Sequence, residues 1–205
     1  MRLSHGVWAR GFWTLAIAAV VAFPAKLHAH PHVWVSGAAA FHLENAALAR
    51  VTLRWQFDAF FSQVLMGDFD KNKDGKFDPE ETAAMKAQVF TSLKEYGYFV
   101  HMKAASGPVD VSSIEAFSAV VDKDGQLVFT FDVVPSTKPD LRGNKLVFAL
   151  FDPTIYVDLA LEGDVPVTLD GTGAQDCSWK MRDLDQITSS NGFVSPQELE
   201  ITCKN

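Results

Sequence analysis

Hydrophobic and polar positions divide the chain into stretches of different period. From Val51 to Phe57 they alternate strictly, which places Val51, Leu53, Trp55 and Phe57 on one face of a strand and Thr52, Arg54 and Gln56 on the other. Residues 32–41 read as a preceding strand, with Glu44 and Asn45 available for the connecting turn, so the pair predicts an opening hairpin. After Phe57 the apolar positions Ala59, Phe60, Phe61, Val64 and Leu65 fall at helical spacing, and Asp58 can cap that helix. A second helix is announced by Asp78 as N-cap, Pro79 in the first turn and Glu81 at the capping-box position. Helical composition continues to about Glu95 and stops at Gly97.

Beyond Tyr98 the period returns to two, in runs at 98–104, 114–121, 126–134, 146–151, 155–161, 165–169, 177–182 and 199–203. Turn residues separate them, among them Gly107-Pro108, the stretch Asp122-Lys123-Asp124-Gly125, and Asp140 to Gly143. Short strands so spaced predict an α+β fold that is mainly antiparallel β, a sandwich or open barrel, with a helical hairpin inserted at about 58–96.

The first 29 residues change the picture of where this domain works. Arg2 and Arg10 precede an apolar run from Phe12 to Phe23, and Pro24 and the small Ala29 follow, the three parts of a secretory signal peptide. An uncleaved anchor is the alternative. The apolar run is shorter than the roughly 18–20 residues that span a bilayer, and no later run reaches that length. The expected product is a periplasmic domain of residues 30–205 with no membrane span. Removing the leader takes away Arg2, Arg10 and Lys26, leaving 15 basic against 25 acidic residues, a net charge of −10. An acidic surface of that kind disfavours nucleic acid and anionic membranes as partners. Cys177 and Cys203 are the only cysteines, and in an oxidising compartment they are expected to form one disulfide; use of both as thiolate ligands is the alternative.

The strongest chemical signal is the segment from Asp70 to Glu81, which fits the twelve-residue EF-hand loop. Asp70, Asn72 and Asp74 supply side-chain oxygens at positions 1, 3 and 5, Gly75 permits the sharp turn, and Lys76 offers its carbonyl at position 7. Asp78 stands at position 9, and Glu81 closes the loop as a bidentate ligand. Hard oxygen donors in that number select Ca²⁺ over Mg²⁺. Lys71, Lys73 and Lys76 offset part of the negative charge, which points to a weak affinity of about 10⁻⁴ to 10⁻³ M and a structural role. A solvated acidic turn is the bland reading of the same residues. The similar cluster at Asp122 fails the pattern, because it would put Val120 at position 1 and Phe131 at position 12.

Cleavage after Ala29 would expose His30-Pro31-His32, two imidazoles and a free amine. An N-terminal His chelates metals such as Zn²⁺, Cu²⁺, Ni²⁺ or Co²⁺ through amine and ring. Pro31 removes the amide hydrogen that a square-planar backbone site would need. The competing reading is the start of an edge strand, with Pro31 preventing unwanted pairing. His42 and His101 could complete a metal site if the fold brought them near.

Taken together, His30-Pro-His-Val-Trp-Val35, Trp55-Gln-Phe-Asp58 before the loop, Tyr98-Phe99, and Phe151-Asp-Pro-Thr-Ile-Tyr-Val157 make the chain resemble a bacterial family. Its members are described as periplasmic components of ABC-type transport systems and often accompany nickel/cobalt-type permeases. The resemblance implies a metal-binding accessory role beside a membrane metal permease or ABC-type transporter, with His30, His32 and Asp152 as functional positions. It departs at Ser36, where relatives often carry an acid, and at Ile155, where they often carry a second Tyr. Two other classes stand beside this reading: a copper enzyme with a terminal histidine brace, and a calcium-stabilised structural or interaction module. Hydrolysis is disfavoured, since there is no nucleophile elbow, no His-Glu-x-x-His and no Cys-His arrangement.

Overall fold

The computed structural model describes residues 32–189 and 192–205. The leader, its cleavage point and His30 lie outside the described residues.

Two strands, β1 (Val33–Glu44) and β2 (Ala47–Phe57), form the expected hairpin. Its two-residue turn is Asn45-Ala46, one residue later than the expected Glu44-Asn45 because Glu44 still pairs with Ala47, and both turn residues have positive φ (52° and 61°), the conformation whose twist suits a tight hairpin. Ala46 is a costly residue there, and a later segment holds it. Its N–H donates to Thr172 O at 2.9 Å, and the Asn45 N–H donates to Thr172 Oγ1 at 2.7 Å. Gly173 makes this approach possible, because a Cβ there would lie 2.6 Å from the Ala46 nitrogen.

The helical insertion follows at once. Helix α1 (Ala59–Phe69) starts under Asp58, whose Oδ1 accepts the Phe61 N–H at 2.9 Å while Oδ2 accepts the Trp34 N–H at 3.0 Å, tying the helix start to β1. Helix α2 (Pro79–Met85) has the full capping box foreseen at Asp78 and Glu81. The helix then widens into a π turn over Lys86–Phe90 and tightens into a 3₁₀ segment over Thr91–Phe99. Gly97, Tyr98 and Phe99 all take positive φ, so the next strand begins at Val100 rather than at Tyr98.

The remaining strands, in chain order, are β3 (Val100–Ala104), β4 (Gly107–Pro108), β5 (Val111–Val121), β6 (Leu127–Pro135), β7 (Lys145–Leu150), β8 (Val157–Leu161), β9 (Val167–Gly171), β10 (Cys177–Asp183), β11 (Ile187–Ser189), β12 (Gly192–Val194) and β13 (Gln197–Cys203). The first sheet runs β5-β6-β2-β1, and on the far edge of β1 come β8, beside residues 33–37, and β9, beside residues 39–43. Both pair with β1 in parallel, an exception to the antiparallel pattern that the sequence gives no sign of. The second sheet runs β10-β13-β7-β3-β4, antiparallel throughout. The fold is α+β and mostly antiparallel, and its sheets do not close into a barrel.

The core lies between the two sheets and continues under the helices. Phe41 of β1 meets Phe148 of β7 edge-on with ring centres 5.1 Å apart. Val51, Leu53, Trp55 and Phe57 all point inward, as their alternation requires. At the Trp55 end that face is covered by the insertion instead of by the second sheet: Phe90, Phe99 and Met85 are buried there with Phe129 and Phe131 of β6.

Candidate functional site

The segment from Asp70 to Asp78 connects α1 to α2, and Glu81 reaches back into it from the first turn of α2. Asp70 Oδ2 accepts the Gly75 N–H at 3.0 Å and its Oδ1 the Asp74 N–H at 3.2 Å. Asn72 Oδ1 accepts the Asp74 N–H at 2.8 Å, and Asp74 Oδ1 accepts the Lys76 N–H at 2.9 Å. Each of these carboxylate or amide oxygens therefore folds over the backbone two to five residues ahead, curling the segment around the positive-φ residues Lys73 and Gly75. Asp78 accepts from the N–H groups of Glu80 and Glu81 at 2.8 and 2.9 Å.

Glu81 is the buried member of the set, 6 % exposed. Its Oε1 accepts the Lys71 N–H at 2.7 Å and the Asn72 N–H at 3.3 Å, and its Oε2 accepts the Asp78 N–H at 3.1 Å. A carboxylate so enclosed is costly unless its lone pairs are matched, and here three backbone donors match them. The six residues that the sequence singles out thus share one loop, but the side-chain oxygens of Asp70, Asn72, Asp74, Asp78 and Glu81 are turned toward backbone amides. Among the described residues no group of three His, Cys, Asp or Glu side chains is disposed as a ligand set.

The histidines are dispersed. His32 is exposed at the entry to β1; its N–H donates to Tyr156 O at 2.9 Å and its ring lies 4.9 Å from the Tyr156 ring. His42 sits on the outer face of the first sheet between Asp170 (Nδ1 to Oδ1, 2.6 Å) and Thr52 (Nε2 to Oγ1, 2.8 Å). Thr52 itself donates to Asp132 Oδ1 at 2.5 Å, leaving a hydroxyl lone pair to face His42. Both ring nitrogens of His42 are thus engaged within the protein. His101 belongs to the other sheet, on β3, where its Nε2–H donates to Phe151 O at 3.0 Å.

Asp152, 2 % exposed, organises its own turn. It accepts from the N–H groups of Thr154, Tyr156 and Val157 at 2.8, 3.0 and 2.9 Å and from the Thr154 hydroxyl at 2.8 Å. Around Ser36 the structure adds what the sequence could not show, since Glu162, 126 residues away, accepts its hydroxyl hydrogen. Nearby Asp158, in register with Trp34, has its carboxyl pushed above the usual range by burial first and then by the Glu162 charge. Cys177 and Cys203 form a disulfide, as expected.

With this architecture in view, comparison with known proteins gives a family. The chain belongs to the family described as "Protein of unknown function (DUF1007)", whose model matches residues 15–193. It is also similar to a protein of Spirochaeta aurantia named "Uncharacterized 15.5 kDa protein in trpE 3'region", 31% identical over 135 residues that cover 66% of this chain and 95% of the relative.

Proposed function

We propose that the protein is an exported, periplasmic accessory of a divalent transition-metal transport system, and that Ca²⁺ held by Asp70, Asn72, Asp74, Lys76, Asp78 and Glu81 stabilises it. The observation that supports calcium is the Asp70–Glu81 loop: five oxygen-bearing side chains and one carbonyl at the required spacing, already curled, with the closing Glu81 buried at the start of a capped helix. Rotating those oxygens from loop amides toward a shared cation is a local change, in which Asp78 and Glu81 exchange their capping-box hydrogen bonds for contacts with the ion. The transport role rests on the His30-Pro31-His32 start, the resemblance to transport-associated proteins, and the leader.

Calcium at about 10 mM should stabilise the protein by about 1.4–2.7 kcal/mol, if the affinity is in the 10⁻⁴ to 10⁻³ M range. Glu81→Gln should remove most of that gain, because the bidentate ligand is lost while the size of the side chain is kept. Calorimetry of both proteins with and without calcium is the test, and an equal rise in Tm for mutant and parent would rule the site out.

The transition-metal reading has its own test. A cytoplasmic version beginning Met-His30 separates the free amine from the imidazole by one residue, so it should bind Cu²⁺ or Ni²⁺ more weakly than processed protein. His32→Ala should weaken binding as well, whereas His42→Ala should not, its ring being engaged by Asp170 and Thr52. Titration calorimetry with calcium present throughout would separate these cases. Indistinguishable affinities would reduce the two histidines to a strand end.

A further inference from the structure

A second site stands apart from the calcium loop. Between the helical insertion and the first sheet lies a half-open cavity of about 520 Å³, within the range of small-molecule sites. Phe61 and Val64 of α1 form one wall, Leu93 of the 3₁₀ segment is on the other, and the indole of Trp55 is part of the floor.

Two observations say what it would hold. Trp55 is 1 % exposed, yet its indole N–H is the one buried side-chain polar atom, among the described residues, with no hydrogen-bond partner. A buried donor left unmatched costs about 1–3 kcal/mol, so a guest whose acceptor presses past the side chains covering the N–H in the empty fold gains what that fold forgoes. The second observation is charge. Asp68 and Asp152 border the cavity, and no Lys, Arg or His does. Asp152 is 2 % exposed and its carboxylate is matched by hydrogen bonds from its own turn. Anionic guests are therefore repelled. A slightly larger cavity beside Lys94 and His101, about 570 Å³, offers no buried group in want of a partner.

We infer that the cavity over Trp55 binds a neutral or cationic organic molecule with an apolar body and one hydrogen-bond acceptor, received by the Trp55 indole N–H. Nile red, an uncharged dye with a ring carbonyl, is a suitable probe for the exported protein. It should bind saturably, and in ¹⁵N-labelled protein the Trp55 indole resonance should move on titration while that of Trp179, on β10, stays. Trp55→Phe keeps an aromatic floor but removes the donor, and should weaken binding about three- to tenfold. Val64→Arg sets a charge at a wall position that is 42 % exposed and so tolerant of change, and should abolish binding; Phe60→Arg, 73 % exposed on the same helix and not in the cavity, should leave it intact. These two variants keep the test decisive if Trp55→Phe fails to fold. Equal dye binding by the Val64→Arg variant and the parent, or an unmoved Trp55 resonance at saturation, would overturn the inference. So would sedimentation showing a parent dimer that Val64→Arg dissociates, since the occupant would then be a second copy of the chain.

Discussion

Replacing Phe131 with alanine is expected to destabilise the protein by about 3–5 kcal/mol, the range for emptying a closed aromatic site. Phe131 is fully buried in β6 and stands edge-on to two rings, Trp55 of β2 at 4.9 Å and Phe90 of the π turn at 4.6 Å. It thus joins the first sheet to the helical insertion, and neither neighbour can relax into the void without breaking another contact: Trp55 also packs on Phe99, and Phe90 on Tyr98 and Phe117. The loss should fall on both parts together. Urea unfolding followed by far-ultraviolet circular dichroism and by tryptophan fluorescence should give coincident transitions at a lower midpoint. A helical signal that melts separately while the sheet keeps its midpoint would show that the insertion is an independent unit, and a loss below about 1 kcal/mol would mean that the rings repack.

What the sequence discloses of this fold is its local logic. Residues 51–57 could be assigned to a strand with a known inner face because burial of one side imposes a period of two. The capping box at Asp78 and Glu81 could be read because cap chemistry acts over three residues. The hairpin turn at Asp122–Gly125 follows for the same reason, and the structure closes it with the Asp122 N–H donating to Gln126 O at 2.9 Å. The parallel pairing of β8 and β9 with β1 had no such signal, because it joins segments more than a hundred residues apart. Phe90, which the helical pattern alone does not distinguish, owes its place to the π turn, a departure from helical period.

The candidate sites divide along the same line. The loop from Asp70 to Glu81 is contiguous, so its residue types and spacing were legible, whereas the orientation of its oxygens toward their own amides was not. His42 looked like one more histidine on a strand; its commitment to Asp170 and Thr52 depends on β9 arriving beside β1. Trp55 was recognisable as core from its alternation, but the lack of an acceptor for its N–H is a property of the packing around it.

Removing the disulfide, by reduction or by changing Cys177 and Cys203 to serine, is expected to cost about 3.5 kcal/mol on the chain-entropy account, given the separation of 26 residues between the two cysteines. The local effect should be larger than the average suggests. Cys177 and Cys203 face each other at the end of the β10-β13 pair, and β10 is the edge strand of its sheet, with no fully buried residue of its own. Its neighbour β13 is secured differently: Leu199 and Ile201 are fully buried, its other side pairs with β7, and the Cys203 N–H donates to Leu141 O at 3.1 Å. The covalent bond is therefore the principal tether of β10 and a secondary one for β13. In the double serine variant, amide hydrogen exchange should accelerate most along β10, while β7 and β3 stay protected to the extent the lowered global stability allows. Peptide mapping of exported protein without reductant should recover Cys177 joined to Cys203. Two free thiols in that material would overturn the assignment, and uniform acceleration across the second sheet would show that β10 is held by its hydrogen bonds rather than by the sulfur bridge.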